Sequence, residues 1–246
     1  MTQPEPSETR AAEISGAIQR ADNDLVLSFL RVRRAIGLLG FFLPAALIAY
    51  GLAFGGGILP SMSDYYYSPM REIFVGTLCA IAVFLWSYEG YRPRPGEWLS
   101  DLTAARTGSV GALAVAWAPT LPDAPAPATC TISQCLLGDH TASIIHFAGA
   151  FAFFGALAAF CLVLFVRGPE DDAEKRASNR IYRLCGWTIV TCIAAIALVF
   201  FGPRQIGQPL AALDAVFWLE TLATVAFAVS WLVKGDALRP VASAGD

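Results

Sequence analysis

Ser61-Met62-Ser63-Asp64-Tyr65-Tyr66-Tyr67-Ser68-Pro69-Met70-Arg71-Glu72 separates two apolar runs, 33–54 before it and 72–91 after it. About 20 apolar residues cross the roughly 30 Å hydrocarbon layer of a bilayer. Each flanking run is that long, so the chain reads as leaving the membrane between them. A membrane protein places such polar, aromatic and charged residues where it meets water or headgroups, or where it builds a site.

Working outward, the same pattern recurs. Further apolar runs lie at about 103–120, 141–167, 181–202 and 212–234, making six candidate spans with the first two. The run at 103–120 is the weakest, being rich in Ala, Gly and Thr. A backbone in lipid must satisfy its own hydrogen bonds, so these runs read as helices. The expected fold is an all-α bundle of six transmembrane helices. It divides into a tail over 1–31, a membrane domain over 32–235 and a second tail over 236–246. Pro44 is expected to kink the first helix unless neighbours re-satisfy the freed carbonyl. The first tail does not read as a signal peptide, because no basic region runs directly into an apolar one. Ile14, Ile18 and Leu25 recur there at loose helical spacing, suggesting a helix over 11–30.

Composition agrees. Of the 246 residues, 56% are hydrophobic and 15% charged, against roughly 25% charged in soluble domains. The net charge of −3 gives no basic face for nucleic acid.

Positive charge sets the expected orientation. Arg31, Arg33 and Arg34 precede the first span, and Arg92, Arg94 and Arg106 mark the link from the second to the third. Arg167, Lys175, Arg176, Arg180 and Arg183 mark the link from the fourth to the fifth, and Lys234 and Arg239 follow the sixth. The opposite links hold only Arg71, none, and Arg204. Both termini are therefore expected in the cytoplasm. Cys130 and Cys135 then share an outer loop, where an oxidising compartment permits a disulfide. Cys79, Cys161, Cys185 and Cys192 fall within spans and read as small apolar fillers.

This orientation collects scattered polar residues in the outer half. Asp64, Tyr65, Tyr66, Tyr67 and Arg71 sit at the mouth of the second span, His146 lies inside the fourth, and Glu220 about two turns inside the sixth. An ionisable residue in a span marks a functional site by default, because burying its charge is costly. These seven form the candidate ligand pocket. Each also has a plainer reading. The tyrosines suit an interfacial belt, Arg71 and Glu72 snorkelling flanks, and Asp64 the cap of a turn. His140 suits a solvated loop, and His146 a core ring bonded to a carbonyl. Glu220 needs a partner, with Arg71, His146 and the tyrosine hydroxyls as candidates. Any metal site would draw on Asp64, His140, His146 and Glu220, although no metal-ligand spacing is present. No cofactor motif is visible. Gly108, Gly111, Gly149 and Gly155 suit close helix approach within the chain.

The segment Ser63–Arg71, with Phe74-Val75-Gly76, Tyr88-Glu89-Gly90-Tyr91, Phe217-Trp218-Leu219-Glu220 and Ser230-Trp231-Leu232-Val233-Lys234-Gly235, resembles a family of uncharacterised bacterial six-span inner-membrane proteins. More distantly, the layout resembles the Frag1/DRAM/Sfk1 and DUF998-like six-helix proteins. It is also distantly similar to alkaline ceramidase-like hydrolases, which use Ser, Asp and several His at a zinc site. Ser63, Asp64, His140 and His146 stand here, without a His-x-x-x-His pair or a seventh span. Three functions follow as expectations: binding of a lipid or small ligand at the outer pocket, metal-assisted lipid hydrolysis, and proton-coupled transport. Whether the protein is an enzyme stays open. Membrane lipids are the expected partners, and nucleic acid is not.

Overall fold

A computed structural model describes residues 6–54, 57–91, 96–121, 129–170, 173–203, 207, 209 and 213–238. Arg92, Arg94, Arg204 and Arg239, which entered the orientation argument, lie outside them. The described residues contain helices and no strand. In chain order these are α1 (Pro6–Ala53), a 3-10 turn (Ser63–Tyr67), α2 (Arg71–Trp86), α3 (Asp101–Trp117), α4 (Ile132–Leu137), α5 (Asp139–Ala159), a π turn (Phe160–Leu164), α6 (Ala173–Phe201) and α7 (Ala215–Lys234).

Hydrogen bonds and ring contacts fix the topology. Arg33 of α1 donates to the Lys234 carbonyl of α7 and to the Tyr88 hydroxyl after α2. Tyr88 in turn reaches Asp101 at the start of α3. On α6, Tyr182 packs on Phe165, just after the π turn. All these groups lie at one end. At the other, the 3-10 turn touches α1, α3, α5 and α7 through Leu47, Trp117, His146 and Glu220. Helices α1, α2, α3, α5 and α7 therefore run between two shared ends, and α6 packs beside them on α5 and α7.

Four of them are long and apolar enough to cross a membrane: Phe29–Ala53 within α1, Asp139–Leu164, Ala173–Phe201 and Ala215–Lys234. Helices α2 and α3, of 16 and 17 residues, reach only about 24 and 26 Å at 1.5 Å per residue. They fall short of a full hydrocarbon thickness, although α2 packs on α1 and α3, and α3 on α5. The sequence could not register this, because the expected second and third runs (72–91 and 103–120) counted Ser87–Tyr91 and Ala118–Thr120, which lie outside α2 and α3. The expected tail helix and first span are one continuous helix, and α1 carries Pro44 inside it. Large apolar side chains face outward along the bundle, with Phe151 and Trp187 73% and 62% exposed. Such a surface suits lipid rather than water.

Small residues set the closest packing. A Cβ on Gly111 of α3 would lie 2.6 Å from both the Gly149 carbonyl oxygen and the Phe153 nitrogen of α5. A Cβ on Gly149 would lie 2.6 Å from Ala114 Cβ. The expected intramolecular role of Gly111 and Gly149 is thus met by backbone against backbone. Gly155, grouped with them in the sequence, would meet nothing within 4 Å. Ser109 ties α3 to α2 by donating to the Ala82 carbonyl at 2.8 Å.

Candidate functional site

The Ser61–Glu72 stretch forms a clasp across one end of the bundle. Its turn is locked locally: Ser61 N–H donates to Asp64 Oδ2 at 2.9 Å, and Asp64 N–H donates to Ser61 Oγ at 3.1 Å. Asp64 therefore organises the turn, the plainer of its two readings.

The three tyrosines are fastened rather than arrayed as a belt. Tyr65 and Tyr66 are 0% and 4% exposed. Tyr65 donates to Leu47 O of α1 (3.3 Å), Tyr66 to Trp117 O of α3 (3.3 Å) and Tyr67 to Thr120 O just beyond it (2.6 Å). Each hydroxyl also accepts: from Leu59 N–H, Arg71 Nη2 and Gln134 Nε2 respectively. Trp117 O and Thr120 O lie at and just beyond the C-terminal end of α3, where carbonyls lack intrahelical donors, so Tyr66 and Tyr67 answer a demand that helix creates, while Tyr65 adds a bond to a carbonyl inside α1. Burial pushes the Tyr67 phenol up to about 12, against a lowering by the Gln134 amide, so it stays neutral and donating.

Two polar residues from the spans meet the same turn. His146 Nδ1 lies 2.7 Å from the Ala118 carbonyl, which can only accept, so this nitrogen carries the proton. In the neutral ring Nε2 then accepts from Ser63 Oγ at 2.8 Å. Glu220 Oε2 accepts from the Met62 backbone N–H at 2.6 Å. The partner of Glu220 is thus a main-chain amide, not Arg71, His146 or a tyrosine. A hydroxyl on an oriented imidazole is also how a nucleophile is activated. With Ser63 and His146 7% and 2% exposed, the pair here fastens the turn to α5.

The sequence-derived set therefore converges on one substructure. Asp64, Tyr65, Tyr66 and Tyr67 belong to the turn; His146 and Glu220 meet its adjacent residues Ser63 and Met62; Arg71 closes it by stacking on Tyr66, 4.5 Å from the ring centroid. His140, at the start of α5, is exposed. Among the described residues no three His, Cys, Asp or Glu side chains group as metal ligands. Arg71 is exposed at the rim, as is its neighbour Glu72, and Arg71 is the cation there that stacks on the clasp.

Beside the rim stands α4. Thr131 and Gln134 form a capping box at its start, a pairing readable from Thr-x-x-Gln but not used in the sequence reading. Gln134 then bonds Tyr67, while Ile132 and Leu136 point outward, 72% and 71% exposed. Cys130 and Cys135 are joined as a disulfide, with Cα atoms 5.4 Å apart, and hold this short helix to its entry.

The opposite end holds a feature the sequence did not suggest. A cavity of about 540 Å³ is lined by Tyr91, Glu97, Asp101, Leu164, Arg167, Gly168, Lys175 and Lys234. Gly90, at φ +65°, turns the chain so that Tyr91 N–H donates to Asp101 Oδ2 at 3.2 Å. Lys234, read from sequence as a plain helix stop, lines this space. Residues from the α2–α3 link, the α5–α6 link and the end of α7 meet there, which no local pattern announces.

No protein-family model, curated protein or solved structure matches this chain.

Proposed function

We propose that the chain is a six-crossing protein of a bacterial inner membrane, with both termini in the cytoplasm, that binds a lipid at the outer rim of the clasp. The arginine distribution supports this sidedness, as does the meeting of Arg33 and Lys234 at one end. One observation carries the binding reading. The exposed Arg71 guanidinium is held over Tyr66 beside α4, whose Ile132 and Leu136 face outward. A cation on an aromatic platform next to exposed aliphatic side chains matches a headgroup phosphate joined to acyl chains. A soluble ligand would make no use of Ile132 and Leu136, so a lipid is the better fit. Beneath it the buried Ser63 and His146 and the half-buried Glu220 keep the platform in place.

Metal-assisted hydrolysis draws no support from side-chain grouping, and proton-coupled transport has no observation that favours it over fastening. Native mass spectrometry of the purified protein tests the reading. Wild type is expected to retain phospholipid that Arg71→Ala loses at the same detergent exposure. Equal retention by both proteins refutes the assignment to this rim.

A further inference from the structure

We infer that the cavity at the opposite end of the bundle is a binding site for a phosphate group. The π turn shapes one wall of the site. Phe165 N–H bonds back to Phe160 O at 2.8 Å, which ends α5 and leaves the Phe165 carbonyl facing the α6 and α7 side. Lys175 Nζ from α6 and Lys234 Nζ from the end of α7 both donate to that one oxygen, at 3.1 and 3.4 Å. One ammonium suffices to satisfy a helix-terminal carbonyl. A second beside it adds like-charge repulsion, which an anion between them removes.

The remaining walls fit the same ligand. Arg167 adds a third cation, donating to Leu99 O at 2.7 Å and pairing with Glu97 at 3.3 Å. The other wall carboxylate, Asp101, accepts from Tyr91 N–H and lies 3.5 Å from the Tyr88 hydroxyl. Behind Lys234 sits Arg33, 4% exposed, which donates to the Lys234 carbonyl and to Tyr88. Its Nε is buried and has no hydrogen-bond partner among the described residues. Three lining cations face two lining carboxylates, and Asp236, close to Lys234, balances Arg33 behind it, so one positive charge is in excess. A phosphate has the charge and the acceptor oxygens to bridge two ammoniums at once. Leu164 and Gly168 leave part of the wall apolar, which suits a phosphate carried on a lipid as well as a free one.

The test uses the full chain in neutral detergent, with melting followed by tryptophan fluorescence. Sodium phosphate is compared with sodium chloride at equal ionic strength. Phosphatidic acid in mixed micelles is compared with phosphatidylcholine. The phosphate probes are expected to raise Tm above their controls. Lys175→Gln and Lys234→Gln should each weaken the response about tenfold in half-saturating concentration, as loss of one charge-assisted contact implies. Arg71→Ala, at the other end, should respond as wild type. A response to phosphatidic acid alone assigns the ligand to the lipid headgroup; a response to inorganic phosphate alone assigns it to a soluble source. Lys175 lies half-buried on the α6 surface, so its variant carries the test if the Lys234 variant does not fold. The inference is overturned if neither probe exceeds its control. It is equally overturned if both lysine variants respond as wild type, or if Arg71→Ala alone abolishes the response.

Discussion

Gly111→Ala and Gly155→Ala are the same substitution in two neighbouring helices, and the packing predicts opposite signs. At Gly111 the new methyl would sit 2.6 Å from Gly149 O and from Phe153 N, both backbone atoms. Ordinary contact needs close to 1 Å more. No side-chain rotation can provide it, so α3 and α5 must separate. Overpacking typically costs about 1–3 kcal/mol, with rigid backbone at the upper end. The higher helix propensity of alanine returns up to about 1 kcal/mol. The net expectation is a loss of about 2 kcal/mol, or a Tm lowered by roughly 4–8 °C for a chain this long. At Gly155 nothing lies within 4 Å of the added methyl. Only the propensity gain remains there, up to about 1 kcal/mol, or a rise of about 2–4 °C. Both variants are compared with wild type in one detergent, by tryptophan fluorescence during heating. A Gly111→Ala protein that melts at or above wild type refutes the backbone contact between α3 and α5.

Ser63→Ala leaves the buried His146 Nε2 without its donor, so a loss of about 1–3 kcal/mol is expected; an unchanged melting curve would contradict that bond. Glu220→Gln keeps an acceptor for Met62 N–H and Glu220→Leu removes it, so the leucine variant should melt lower than the glutamine one. Glu170, outside the spans, is held below the usual carboxylate range by the Asn179 amide and then by Arg183. With a depressed folded-state value, its stabilisation is present above the ordinary 4.5 and lost as pH falls through the lower folded value. Glu170→Gln should therefore flatten the melting temperature over that acid window, and an unaltered acid profile would count against the pairing. Cys130 and Cys135 should resist thiol reagents until the protein is reduced; labelling of both without reductant would contradict their bridge.

How much of this was legible in the sequence depends on whether the signal was local. Apolar runs and alternating arginines announced a helical membrane protein, because lipid imposes its demand on every span separately. The convergence of Asp64, Arg71, His146 and Glu220 followed from orientation alone, since each sits at a predictable depth. Their bonding did not. Glu220 is met by a backbone amide and the tyrosines by backbone carbonyls, and backbone groups carry no residue signature. Likewise the cavity gathers Tyr91, Arg167 with Lys175, and Lys234 from three distant parts of the chain, and only the tertiary packing brings them together. The shortness of α2 and α3 was hidden because flanking apolar residues outside the helices look the same as those inside.

The proposed function makes the clasp a lipid platform. Photo-crosslinking with a phosphatidylglycerol analogue bearing a diazirine on its headgroup, followed by peptide mapping, tests it most directly. Crosslinks are predicted in Tyr66–Glu72 and Ile132–Leu137, diminished by Arg71→Ala. Crosslinks spread along the bundle and absent from both segments would contradict it.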